Sequence, residues 1–156
     1  MTEIIDALNS SLLVYGLTPE QIEPIAALGK KANFVAGEHI SLIGAHEADL
    51  FVIVEGHVNL LTHDSDKLGE VGPAGILGEV SFVDAGPRHA HAVAQGFVTA
   101  IKFPARELRA HLSRDRNVGF IVLANLSRLL AARLRNADGR LDALMDLEHD
   151  VWHHAL

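Results

Sequence analysis

Nine of the thirteen glycines fall between Gly37 and Gly96 and cut that stretch into short apolar runs. Runs such as Leu50-Phe51-Val52-Ile53-Val54 and His57-Val58-Asn59-Leu60-Leu61 are too short for helices and rich in β-formers, so they read as strands. Gly56 between them reads as a turn, as do His63-Asp64-Ser65-Asp66-Lys67 and Gly72-Pro73-Ala74-Gly75. About eight short strands with regular turns imply a barrel, a roll or a jelly roll.

The flanks carry helical signals instead. Ile4, Ile5, Leu8, Leu12 and Leu13 recur at helical spacing, predicting an amphipathic helix near residues 2–14. Thr18-Pro19-Glu20-Gln21 offers a capping threonine, a proline at the first helical position and a glutamine three residues after the cap, so a second helix should run to about Leu28. Phe97 to Phe103 reads as the last strand, and Pro104 stands where a helix can start. Val118, Val122, Leu126, Leu129, Leu130 and Leu134 then form an apolar stripe, with Asp138-Gly139 as the expected break. The expected fold is α+β and mainly β: a jelly-roll-like β-roll of the double-stranded β-helix type, flanked by helices. One domain should cover residues 1–156, with N-terminal helices over 1–36, the roll over 37–103 and C-terminal helices over 104–156.

At 156 residues and 16.8 kDa, a second enzyme-sized domain does not fit. The absence of cysteine excludes disulfides, thiolate metal sites and cysteine nucleophiles. The formal net charge of -7 argues against a broad phosphate-backbone footprint, so no DNA partner is expected. Glu3 and Asp6 stand where an export signal would carry positive charge. The uncharged stretch from Asn117 to Ser127 is far short of the ~20 apolar residues that span a bilayer. A soluble cytoplasmic protein without a membrane span is therefore expected. All eight basic residues after residue 104 are arginines, and most should form a solvated helix face.

Chemistry concentrates in Ile76 to Ala94, where Gly78-Glu79 and Pro87-Arg88 stand nine residues apart. Arg88 is the only arginine before residue 106. A single guanidinium beside a glycine turn that presents free backbone N–H groups suits a small phosphate ligand.

With Gly37-Glu38 opening the roll, the strand pair around Glu55-Gly56, Gly78-Glu79-Val80-Ser81 and Pro87-Arg88-His89-Ala90 in that order, the chain resembles the cyclic nucleotide-binding domains of catabolite-activator-type regulators, kinase regulatory subunits and cyclic nucleotide-gated channels. The likeness covers roughly residues 17–137. It implies a cyclic nucleotide ligand, cAMP ahead of cGMP, with no further cofactor. Gly78, Glu79, Val80, Ser81, Arg88, His89 and Ala90 would bind it. Glu79 would accept a hydrogen bond from the ribose 2′-hydroxyl and Arg88 would clamp the cyclic phosphate. At the position of His89 the family commonly has a small residue, and an imidazole there could add a donor or fill the pocket. Arg133 stands near where the family's long helix covers the base, as a candidate lid that could stack on a purine or be solvated.

Too few residues follow Asn136 for a winged helix-turn-helix, so a stand-alone sensor without a DNA-binding domain is expected, signalling through its C-terminal helices to an unknown protein partner. The stripe from Val118 to Leu134, continued by Leu141, Leu144 and Leu147, could form a homodimer seam or pack on the chain's own roll. A β-roll scaffold without a ligand is one rival reading. A cupin-like metal protein is the other, since His89-Ala90-His91 has the HxH spacing but Gln95 stands where that pattern wants a carboxylate. His149 and His153 could bind a metal weakly. With no GxSxG serine and no triad context, catalysis is not expected.

Overall fold

The structure, a computed structural model, describes the backbone of residues 1–145 and the side chains of residues 1–137. Two helices lead the chain, α1 (Thr2–Ser10) and α2 (Pro19–Ala26), followed by strands β1 (Lys30–Phe34), β2 (His39–Ser41), β3 (Leu50–Glu55), β4 (Val58–Leu61), β5 (Lys67–Val71) and β6 (Ile76–Leu77). A short helix α3 (Glu79–Asp84), strands β7 (His91–Ala94) and β8 (Val98–Phe103), and helices α4 (Ala105–Arg114) and α5 (Arg116–Met145) complete it. The eight strands form two four-stranded antiparallel sheets, ordered β1-β8-β3-β6 and β2-β7-β4-β5.

Alternation along β3 and β8 explains why these strands read as unbroken apolar runs. Phe51, Ile53, Val98 and Ala100 point between the sheets, where they meet Ile40, Val58, Val71, Leu77, Ala92 and Ala94. Leu50, Val52, Ile101 and Phe103 point the other way, onto Leu8, Leu13, Ile25, Leu108, Val118, Val122 and Leu126 of the helical layer. A sheet covered on both faces needs apolar side chains at every position. Gly56 links β3 to β4 with φ at +90°, and a Cβ there would run into the Phe97 carbonyl. Only glycine fits that turn.

Three boundaries differ from the expectation, and so does the apolar length of one helix. The first helix ends at Ser10 rather than near residue 14, because Ser11 Oγ donates to the Leu8 carbonyl and accepts the Leu13 N–H, a local arrangement that competes with helix continuation. Strand β1 starts at Lys30, inside the stretch assigned to N-terminal helices; it is an edge strand whose lysines are exposed, which hides its alternation. Helix α5 runs through Asp138-Gly139 to Met145, since one interior glycine costs only ~1 kcal/mol in a helix of otherwise strong formers. Among the described residues, Arg116–Ala137 is long and apolar enough by composition to cross a membrane, longer than the uncharged stretch alone suggested. Val118, Val122 and Leu126 of that segment are spent in the domain's own core.

The capping box is present as expected: Thr18 Oγ1 accepts from the Gln21 N–H at 3.3 Å, and Gln21 Oε1 accepts from the Thr18 N–H at 2.9 Å. Asn125 ties α5 to the amino-terminal segment, its buried Nδ2 donating to the carbonyls of Leu13 at 3.1 Å and Tyr15 at 2.9 Å. Asn125→Ala should therefore cost about 1–3 kcal/mol by leaving these carbonyls short of a partner. Chemical denaturation, with the midpoint falling at unchanged slope, checks it.

Candidate functional site

The site is built around Gly78, which leaves β6 with φ at +87° and turns the chain into α3. The first intrahelical bond runs from the Phe82 N–H to the Gly78 carbonyl at 3.1 Å, so the N–H groups of Glu79, Val80 and Ser81 have no partner within the helix. Ala85, also left-handed at φ +58°, ends the helix, and Asp84 Oδ1 accepts the Gly86 N–H at 2.7 Å to shape the return. The Pro87-Arg88 loop is then pinned to the β2–β3 connection: the Arg88 N–H donates to the Ala45 carbonyl at 2.8 Å, and the Gly44 N–H to the Arg88 carbonyl at 2.9 Å.

This brings Gly78, Glu79, Val80, Ser81, Arg88, His89, Ala90 and Arg133 around one cavity of about 30 Å³, together with Ser41, Leu60, Leu77 and Ala92. Arg88 is buried, with Nη1 donating to the Gly78 carbonyl at 3.3 Å and Nη2 to the Asp49 carbonyl at 2.7 Å. Its Nε has no hydrogen-bond partner among the described residues, nor has the buried Oγ of Ser81. Burial lowers the Arg88 pKa from the ordinary arginine value, while the carboxylates of Glu47, Asp49 and Glu79 push it back up. Orphaned buried donors of this kind are costly and mark a place where a further partner belongs.

Glu79 is 2% exposed and forms an ion pair with Arg133 Nη1. Arg133, the candidate lid, also donates from Nη2 to the Ile76 carbonyl at 2.6 Å and lines the cavity rather than standing free in solvent. A larger groove of about 460 Å³ adjoins it, walled by Leu60, Leu68, Glu70, His89, Arg133 and Asn136 among others. Because Leu60, His89 and Arg133 belong to both walls, Arg133 stands where the two spaces meet. His89 is exposed and lines both spaces.

Two supporting residues escaped the sequence reading. Asp49 holds Arg88 through its carbonyl and α4 through its side chain, Oδ1 accepting the Ala105 N–H at 2.8 Å and Oδ2 lying 3.4 Å from Lys102 Nζ. Arg109, expected on a solvated face, bonds the carbonyls of Ser81 at 3.1 Å and Phe82 at 2.8 Å and lies over the Phe82 ring. An acidic residue just before an apolar strand was the available signal for Asp49; nothing in the spacing of Arg109 singles it out from Arg106 or Arg114, which are exposed. Of the HxH pair, His91 accepts the Ile43 N–H on Nδ1 and packs edge-on against His39, whereas His89 is the one that lines the cavity. Among the described residues no three His, Asp or Glu side chains cluster to hold a metal, and His149 and His153 lie outside the described residues.

Residues 31–115, more than half of the chain, match the family model of the cyclic nucleotide-binding domain. The chain belongs to that family. As a cyclic nucleotide-binding domain it is 33% identical over 141 residues to the cyclic AMP receptor protein of Thermus thermophilus, covering 88% of this chain and 63% of that protein. The crystal structure of the Thermus thermophilus catabolite activator protein superposes with a TM-score of 0.72 at 31% identity, covering 86% of this chain and 63% of the other. Glutaminase 2 of Bradyrhizobium diazoefficiens is 24% identical over 137 residues, but this chain covers only 22% of it. The cyclic nucleotide-binding domain thus spans less than two thirds of these relatives. Its family is a regulatory one rather than a catalytic one.

Proposed function

We propose that this domain binds a cyclic nucleotide, with cAMP ahead of cGMP, and acts as a cytoplasmic sensor that signals through α5. The observation that carries this reading is the pair of orphaned donors, Arg88 Nε and Ser81 Oγ, on residues lining one cavity beside the unpaired N–H groups of Glu79, Val80 and Ser81. A cyclic phosphate would complete all of them at once, with Arg88 as the cationic clamp. Glu79 would take the ribose 2′-hydroxyl, and the adjoining groove along β4 and β5 has room for the base. The exposed His89 would reach the phosphate, and the Ala90 backbone would close the far side.

Signal transfer follows the bonded path from the cassette. Arg109 joins α3 to α4, Asp49 joins Arg88 to the first turn of α4, and Arg133 joins Glu79 to α5. The stripe on α5 divides: Val118, Val122 and Leu126 are buried on the chain's own core, whereas Phe120, Leu123 and Leu134 are exposed. That outer face is where a homodimer or another protein partner would dock; Leu141 and Leu144 have undescribed side chains and Leu147 lies outside the described residues.

The closed cavity favours a second reading. At about 30 Å³ it holds a water or so, so a roll that keeps its shape without a ligand, serving only as an interaction scaffold, fits the same walls. Thermal shift and calorimetry with cAMP, cGMP and cyclic dinucleotides separate the two. At a hundredfold over its dissociation constant a true ligand adds about 2.7 kcal/mol, which for this size raises the melting temperature by roughly 5–10 °C. No shift with any cyclic nucleotide leaves the scaffold. A shift with a divalent metal, lost on substitution of His89 and His91, would instead point to a metal protein.

A further inference from the structure

Arg133 is placed to do the opposite of covering a bound ligand. We infer that it is an internal competitor, a latch that occupies the ribose-hydroxyl acceptor and must leave before a nucleotide enters; this rests on the proposed binding of a cyclic nucleotide at the same site. Its two polar contacts, to the Glu79 carboxylate and the Ile76 carbonyl, lie at the junction between the small cavity and the base-sized groove. While they persist, Arg133 stands between the two spaces, and the cavity of about 30 Å³ that holds Arg88 and the α3 N–H groups is too small for a nucleotide. The Glu79 carboxylate is buried, so the pair forms where attraction is weakly screened.

The rest of α5 leaves the latch little help. Val118, Val122, Asn125 and Leu126 are buried and Leu129 packs beside them, but Ala131, Ala132, Leu134, Arg135, Asn136 and Ala137 are exposed. Beyond Leu130, the hydrogen bond and the ion pair of Arg133 are the polar ties to the roll found among the described residues. A ligand that donates its 2′-hydroxyl to Glu79 and gives its phosphate to Arg88 and the α3 N–H groups replaces the inner end of this tie. The distal part of α5 is then released. Affinity in this arrangement is reduced by the fraction of molecules in which the latch is closed.

A latch and a lid predict opposite signs. Calorimetric titration of the full chain with cAMP should show Arg133→Gln binding on the order of tenfold more tightly than the parent, with Arg133→Lys, which keeps the charge, in between. The same gain should hold for 2′-deoxy-cAMP, because the closed fraction is a property of the free protein, although both proteins bind it more weakly for want of the hydroxyl that Glu79 accepts. A measurement on the unaltered chain guards against a variant that fails to fold: adding cAMP should speed amide hydrogen exchange over residues 130–136, whereas a lid would slow it. Equal or weaker binding by Arg133→Gln, or slower exchange, overturns the latch while leaving nucleotide binding intact. If neither the parent nor the variant binds cAMP or cGMP, the binding reading itself falls and the latch with it.

Discussion

Gly78→Val is expected to lower the melting temperature by about 5–25 °C and to abolish cyclic nucleotide binding together. Position 78 has φ at +87°, a region that a β-branched residue enters only under strain of about 1–3 kcal/mol. The added atoms also have nowhere to go, since a Cβ there would meet the Asp49 carbonyl and the Arg88 guanidinium. Overpacking of this kind adds about 1–3 kcal/mol. At roughly 2–4 °C per kcal/mol for a chain of this length, the sum gives the stated shift. Binding is lost for a separate reason: relaxing the clash displaces Arg88 or opens the turn that aims the α3 N–H groups. Differential scanning calorimetry with and without cAMP reads both effects, and a variant with the parent melting temperature would show that the turn is not under this constraint.

Arg88→Ala is expected to behave differently, losing affinity by about a hundredfold or more while moving the ligand-free melting temperature by only a few degrees. Charge-assisted hydrogen bonds contribute about 1.5–3 kcal/mol each, and Arg88 would supply more than one to a cyclic phosphate. In the ligand-free protein its removal is partly compensated. The Gly78 and Asp49 carbonyls lose a donor, but a buried guanidinium with an unpaired Nε is relieved at the same time. Isothermal titration with cAMP checks the first part and calorimetry the second. An Arg88→Ala protein that binds cAMP as tightly as the parent would place the phosphate elsewhere.

The contrast between these positions shows what could be read from the chain. Short-range chemistry was legible: glycines at forced turns, the Thr18 capping box and the Pro104 start of α4 each act within a few residues of sequence. The alternating faces of β3 and β8 were hidden because both faces are buried, so no period of two survives in Leu50 to Val54. The cassette could be placed because Gly78-Glu79 and Pro87-Arg88 bracket one helix and its return loop. Arg133 and Asp49 could not be given their partners, since their contacts span 54 and 39 residues and depend on how α5 and β3 lie against the cassette. The reach of α5 past Gly139 was missed for a thermodynamic reason, namely that a single poor helix former is outvoted by its neighbours.

The Asn125 anchor gives α5 a mechanical meaning. From Asn125 to Arg133 the axis advances about 12 Å, and from Asn125 to Met145 about 30 Å, at 1.5 Å per residue. If the helix pivots as a rigid rod at that buried amide, a displacement of about 2 Å at Arg133 becomes about 5 Å at its far end. A change the size of one hydrogen bond inside the cavity would then arrive at the tip of α5 as a movement large enough to make or break an interface.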